Sequence, residues 1–266
     1  MKLELLHCHP PEGPASGRPS LLFVHGSYCG AWVWAEHFMP FFARRGWSSH
    51  AVSLRGHGES EGGFNYASLA DYVTDIHSAM AHVGGEVILV GHSLGGLLVQ
   101  HCLAGDERVR AAVLMASVPP SGLMSSALHL SLFSPDVCLQ FGLLQALGPS
   151  AVKGEVIRRA FFASSTPDDA VAHLLPRLQR ESHRICVELL NPVRPSLPLG
   201  EWRPDILVLG GDRDVLVPAA ALMETATYFD ADLSVLTGAP HGLMLDDCWW
   251  QATAERTLSW LDSKGL

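Results

Sequence analysis

Short apolar runs, each stopped by a turn signal, divide the first part of this chain. Leu21-Leu22-Phe23-Val24 ends at His25-Gly26, Ser48 to Leu54 at Arg55-Gly56-His57-Gly58, Val87-Ile88-Leu89-Val90 at Gly91, and Val109 to Met115 near Ser117. Short continuous apolar runs bounded by glycine predict buried strands. Between them, Trp32 to Arg45, Ser68 to His82 and Leu94 to Leu103 carry helical patterns. This alternation predicts an α/β fold with a mostly parallel central sheet flanked by helices on both faces. Ligands of such sheets bind outside the carboxyl ends of the strands.

The rhythm changes at Pro119. Leu123 to Phe133, Val137 to Leu147, Val152 to Phe162 and Asp169 to Leu190 are apolar-rich and helical in pattern, broken by Ser, Pro and Gly, with no clear buried strand among them. We therefore expect an inserted helical cap over residues 119–200, set into a core domain made of 1–118 and 201–266. Pro192, Pro195, Pro198 and Pro204 mark the return to the core. Ile206 to Leu209, a helix from Ala219 to Tyr228, Leu233 to Leu236 and a last helix from Asp247 to Leu261 then resume the strand-helix order.

Composition narrows the partners. A chain of 266 residues, 48% hydrophobic and 17% charged, can bury a large core as one domain with an insertion. Its net charge of -9 argues against a nucleic-acid partner, because phosphate binding needs clustered Lys and Arg. No apolar stretch approaches the roughly 20 residues of a membrane span, and the Met1 to Leu5 terminus lacks a signal-peptide core, so a cytoplasmic location is expected. Cys8, Cys29, Cys102, Cys138, Cys186 and Cys248 form no C-x-x-C pair, which suits free thiols. His7-Cys8-His9 would put two imidazoles on one face of a strand, but no further ligand is spaced nearby, so an edge strand is expected there and no metal.

The chemistry concentrates at Gly91-His92-Ser93-Leu94-Gly95-Gly96, which follows an apolar run directly and opens a helical one. That is the context of a G-x-S-x-G nucleophile elbow, where a strained turn raises the serine to the top of the sheet. Side chains at 91 or 95 are expected to collide with neighbouring chain. A serine hydroxyl needs a base. Of fourteen histidines, His241 in Gly238-Ala239-Pro240-His241-Gly242 lies just after a strand-like run, at the same edge as Ser93. For the acid, Gly210-Gly211-Asp212-Arg213-Asp214 follows the Ile206 to Leu209 run, and chain position alone does not separate Asp212 from Asp214. Asp212, next to two glycines, is expected to bond its own backbone and start a turn, which leaves Asp214 as the acid. Trp32 and Trp34 read as packing residues, Cys29 as lining, and His57 and His92 as residues whose ring nitrogens tie loops together.

With His25-Gly26, Arg55-Gly56-His57-Gly58-Glu59-Ser60, the elbow at Ser93, Gly211 to Pro218 and His241, the chain resembles the α/β-hydrolase superfamily over nearly its whole length. Within that superfamily it is similar to the capped esterases and the lysophospholipase-like and monoacylglycerol-lipase-like members. The order Ser93, Asp214, His241 matches that family's triad. The resemblance implies an α/β-hydrolase fold and an oxyanion hole made by the backbone amides of Ser27 and Leu94. It also implies a substrate-binding set of Gly26, Tyr28, His92 and Leu243, with no cofactor and no metal. The implied activity is hydrolysis of carboxylic esters with an apolar acyl group, through an acyl-enzyme, on a small-molecule ester or lactone. A lactonase, a C–C bond hydrolase, a perhydrolase and a hydroxynitrile lyase stay open as related readings. The lyase is disfavoured by Gly242, where that family carries lysine. Epoxide hydrolases and dehalogenases are disfavoured because they carry aspartate where Ser93 stands. A non-catalytic small-ligand-binding protein is the alternative of another class.

Overall fold

The structure, a computed structural model, describes residues 1–13, 17–63, 65–197 and 203–266. Its strands are β1 (Leu5–Cys8), β2 (Ser20–Val24), β3 (Ser49–Val52), β4 (Val87–His92), β5 (Val109–Met115), β6 (Asp205–Gly211) and β7 (Asp232–Leu236). They form one sheet in the order β1-β3-β2-β4-β5-β6-β7. All pairs are parallel except β1 with β3, which are antiparallel. His7-Cys8-His9 thus lies at the sheet edge, as expected. His7 and His9 stack at 5.5 Å, and among the described residues no group of three or more His, Cys, Asp or Glu is arranged to hold a metal.

Side chains alternate across a strand, and the alternation sorts the core into two layers. Leu21, Phe23, Ile88, Val90, Val113 and Leu207 face helices α1 (Trp32–Ala35), α2 (Phe38–Ala43) and the C-terminal helix α11 (Trp250–Ser263). Leu22, Val24, Leu89, Leu114, Ile206 and Val208 face α3 (Leu69–Val83), α4 (Leu94–Cys102) and α10 (Ala219–Phe229). Phe23 shows what one position contributes. Fully buried, it stacks on Trp34 at 4.8 Å and meets Phe38 and Phe42, so its truncation to Ala would cost about 3–5 kcal/mol. The start of α3 is set by a reciprocal cap, in which Ser68 accepts from the Asp71 N–H and the Asp71 carboxylate accepts from the Ser68 N–H.

Two helical expectations need correction. Trp32 to Arg45 is not one helix but α1 and α2, separated at His37. Pro40 explains the break, because it has no N–H to give the Glu36 carbonyl and its ring would collide with that carbonyl in a continuous helix. Asp169 to Leu190 is likewise divided, into α8 (Asp168–Ala172), a 3-10 turn at Leu175–Arg177 around Pro176, and α9 (His183–Glu188).

Between β5 and β6 the described residues carry only helices, which also include α5 (Met124–Phe133), α6 (Pro135–Leu147) and α7 (Gly154–Phe161). The expected boundary at 200/201, with Pro198 just before it, lies outside the described residues. Among the described residues no single helix is long and apolar enough to cross a membrane.

Candidate active site

β4 is the middle strand of the sheet, and the chain leaves it at Ser93 to enter α4. Ser93 has φ 53 and ψ -116, a backbone that non-glycine residues adopt only where their surroundings impose it. Those surroundings are crowded. A Cβ at Gly91 would overlap the Gly95 carbonyl, and one at Gly95 would overlap the Val24 and His25 carbonyls. Glycine at both positions is what allows strand and helix to approach closely enough to make the turn.

His241 and Asp214 come from two loops at the same edge. The His241 Nδ1–H donates to Asp214 Oδ2 at 2.6 Å, and both side chains are buried. The other carboxylate oxygen, Oδ1, accepts from the N–H groups of Leu216 and Val217, each at 2.8 Å. This corrects the local reasoning about the two aspartates. The turn-forming carboxylate is that of Asp214, which serves its own loop with one oxygen and His241 with the other. Asp212 makes no such local turn and instead accepts from the Gly238 N–H, 26 residues away, at 2.6 Å.

Ser93 and His241 line one cavity of about 470 Å³. Among the described residues no hydrogen bond joins the Ser93 hydroxyl to the imidazole; such bonds commonly tighten only when substrate is present. Gly26, Ser27, Tyr28 and His92 also line the cavity from the core side, while Leu130, Phe141, Gln145, Phe161, Cys186 and Leu190 line it from the helical segment. Leu243, expected in the substrate-binding set, is not there. It is fully buried in the core, because the turn after His241 directs it inward. Leu94 keeps its side chain out of the cavity, 1% exposed in the core below.

The amides around Ser93 are aimed by their neighbours. The His25 Nδ1–H donates to the Gly26 carbonyl at 2.8 Å. In a trans peptide the C=O and N–H point in opposite directions, so this bond turns the Ser27 N–H of the same peptide away from His25. His25 Nε2 accepts from the Leu54 N–H at 3.0 Å, which fixes the neutral tautomer, and burial lowers the pKa of His25 to about 3. The Leu94 N–H is the first of α4, ahead of the amides of Gly96 and Leu97 that donate to the Ser93 carbonyl, at the end where the helix dipole favours negative charge.

No Asp, Glu, Lys or Arg lines the cavity among the described residues. Burial, followed by the nearby Glu181 carboxylate, pushes the Cys29 thiol up to about 12 and Cys186 to about 11. Burial likewise raises the Tyr28 phenol well above its ordinary value. His92 is held neutral by burial and by the charge His241 could carry, and its Nε2–H donates to the His241 carbonyl at 3.0 Å.

Sequence reasoning missed the residues that fasten the helical segment to the site. Phe161 packs its ring edge on His241 at 5.5 Å, and its carbonyl accepts from the Gly242 N–H at 2.6 Å. Asp246, fully buried, accepts from the Ala163 N–H and the Thr166 hydroxyl, each at 2.7 Å. An acid directly after the apolar run Leu243-Met244-Leu245 is a signal, but it names no partner.

A profile described as "Alpha/beta hydrolase family" matches residues 21–256. The chain is similar to the pimeloyl-(acyl-carrier protein) methyl ester esterase of Xanthomonas axonopodis pv. citri, 29% identical over 247 residues that cover 84% of this chain and 87% of that protein. It is also similar to non-heme chloroperoxidase CPO-A1 of Kitasatospora aureofaciens, 24% identical over 253 residues that cover 86% of each. Among solved structures, the esterase EaEST from Exiguobacterium antarcticum shares the fold, with a TM-score of 0.75 at 16% identity over 98% of this chain and 95% of that one.

Proposed function

The chain belongs to the alpha/beta hydrolase family, and from that premise and the geometry of the site we propose that it is a cofactor-free carboxylic-ester hydrolase acting on esters with an apolar acyl group. The observation that carries this reading is the buried 2.6 Å hydrogen bond from His241 to Asp214, at the wall of the apolar cavity that also holds Ser93 on its strained turn. The esterase names of similar proteins agree with it.

In this mechanism the Ser93 Oγ attacks the acyl carbonyl carbon while His241 Nε2 takes the hydroxyl proton. Asp214 keeps the proton of the imidazole on Nδ1, so that Nε2 is the free base, and stabilises the imidazolium once it forms. The developing oxyanion rests on the Ser27 and Leu94 amides, each worth roughly 3 kcal/mol when aligned. The alcohol leaves with the proton from His241. Water then attacks the acyl-enzyme by the same route and releases the acid and free Ser93. Residues 119–200 act as a cap that supplies most of the apolar wall and keeps water from the acyl group.

A second reading, perhydrolysis, has the chloroperoxidase relative in its favour. Hydrogen peroxide in place of water at the acyl-enzyme would release a peracid from the same site. One experiment separates the readings: chromogenic esters of increasing acyl length and several lactones, with and without hydrogen peroxide, on wild type and Ser93→Ala. Free acid formed at the same rate with and without peroxide, and lost in Ser93→Ala, supports the hydrolase, whereas peracid formed at the expense of free acid, and lost in Ser93→Ala, supports perhydrolysis. Ester turnover equal in the two proteins refutes Ser93 as nucleophile.

A further inference from the structure

Tyr28 directly follows Ser27 and has φ 66, a left-handed backbone that strains a bulky residue and persists only where neighbours hold it. One end of this loop is held from the core by His25 on the Gly26 carbonyl. The other end is held from the cap. The Gln179 main-chain N–H donates to the Tyr28 carbonyl at 2.8 Å, and the Gln179 side-chain Oε1 accepts from the Gly58 N–H at 2.7 Å. One cap residue therefore ties the Ser27-Tyr28 turn to the loop after β3.

Gln179 is itself anchored. Two residues on, the Glu181 carboxylate is 1% exposed and accepts from the Tyr72 hydroxyl at 2.6 Å and from the Ser182 N–H at 2.7 Å. The Gln145 side chain takes both main-chain groups of Glu181, donating to its carbonyl at 2.6 Å and accepting from its N–H at 3.1 Å. The Ser182 hydroxyl donates to the Ala67 carbonyl at 2.6 Å. A segment fixed at so many points cannot drift, and neither can the amide it presents to Tyr28.

We propose that Gln179 is a positioning residue for the oxyanion hole: by bridging Tyr28 and Gly58 it holds the left-handed turn that aims the Ser27 amide, so the cap belongs to the catalytic geometry. The inference rests on the ester-hydrolase reading and deepens it. Were the bridge only structural stitching, its loss would lower stability and the fraction of competent protein. A positioning role predicts a loss in each competent site, because misplacing one amide of an oxyanion hole weakens transition-state binding and leaves ester binding nearly untouched.

The test uses Gln179→Met, which keeps length and packing but removes the acceptor for Gly58, and Gln179→Glu, which restores an acceptor. Competent sites are counted by the burst of an activated ester, and each protein is assayed for kcat, KM, thermal midpoint and affinity for an apolar trifluoromethyl ketone, whose serine adduct carries the oxyanion. The expected result for Gln179→Met is a roughly tenfold lower kcat per competent site and an equal loss of ketone affinity, with KM within about twofold and recovery in Gln179→Glu. Unchanged kcat and ketone affinity in Gln179→Met overturn the proposal, as does an equal loss in both variants. If Gln179→Met fails to fold, Gln179→Ala, which also removes the acceptor for Gly58, takes its place under the same outcomes. A wild type that turns over no ester and does not react with a fluorophosphonate overturns the hydrolase reading, and this inference with it.

Discussion

The Phe161 carbonyl, at the end of α7, accepts a hydrogen bond of 2.6 Å from the N–H of Gly242, the residue after His241. A Cβ at position 242 would stand 2.6 Å from the same oxygen, so the helical segment between β5 and β6 approaches the histidine loop as closely as glycine permits. The contact places a main-chain group of that segment one residue from the proposed base.

Gly242→Ala should therefore force either the Phe161 carbonyl or the His241 backbone to move. We expect a loss of about 1–3 kcal/mol in stability from the overlap and a roughly tenfold fall in kcat from the displaced imidazole. Thermal midpoint and kcat measured together decide which side yields. A lowered midpoint with unchanged kcat would mean that Phe161 gives way and His241 stays in place.

Asp214 and Asp212 should separate cleanly by mutation. Asp214→Asn can still accept from the Leu216 and Val217 amides through its remaining oxygen, so the loop should fold. The new NH₂ would then face His241 Nδ1, favour the wrong tautomer, and lower kcat by roughly 10⁴. Asp212→Asn keeps an acceptor for Gly238 and should cost at most about 1 kcal/mol of stability and little activity. Steady-state kinetics on both proteins is the check, and the reverse pattern would move the acid role to Asp212.

Acid should destabilise the fold through its buried neutral histidines. His25 drops from 6.5 to about 3 on folding, chiefly through burial. Between those values the unfolded chain binds more protons than the native one, so stability rises with pH there. His25's contribution is complete above pH 6.5 and is lost as pH falls towards 3, at up to about 1.4 kcal/mol per pH unit. His25→Gln, which does not titrate, should flatten the dependence of unfolding free energy on pH between 4 and 6.5 relative to wild type. Parallel curves for the two proteins would show that His25 is not the responsible group.

Several features are legible in the chain because they are local. β4 and β5 are built on the apolar runs Val87–Val90 and Ala111–Met115, and the glycines around Ser93 announce a turn that only glycine can make. The place of His241 after a strand-like run marks it as the candidate base. Other features depend on long-range geometry. Gly58 lies 121 residues from Gln179 and Ala163 lies 83 from Asp246, so neither bond leaves a pattern in the chain. The inward place of Leu243 is not legible because a turn's residue types do not say which side chain faces the cavity. Pro40 carries the signal for the split of α1 from α2, but the apolar pattern resumes directly after Glu36-His37 and masks it.

The last prediction concerns the acyl group. The cavity wall is made of residues such as Leu130, Phe141, Phe161 and Leu190, includes no Asp, Glu, Lys or Arg among the described residues, and burial keeps the Tyr28 phenol, the Cys29 thiol and the His92 imidazole in it neutral. Each methylene that enters such a pocket gains about 0.8 kcal/mol, close to fourfold in kcat/KM if the gain persists in the transition state. Across straight-chain esters, kcat/KM should climb by roughly that factor per carbon and level off where the chain meets the far wall. Phe141 stands in the cavity wall, its ring 5.7 Å from Tyr28 and 5.9 Å from Phe161. Phe141→Ala should therefore shift the plateau to longer chains while lowering kcat/KM for short ones, which would then leave an unfilled void. A terminal carboxylate on the acyl chain should remove most of the gain, because burying it would require a partner the wall does not offer. The profile of kcat/KM against chain length for the two proteins, with one carboxylate-ended ester in each series, tests all three statements. A flat wild-type profile, or a preference for the charged ester, would refute an apolar acyl site.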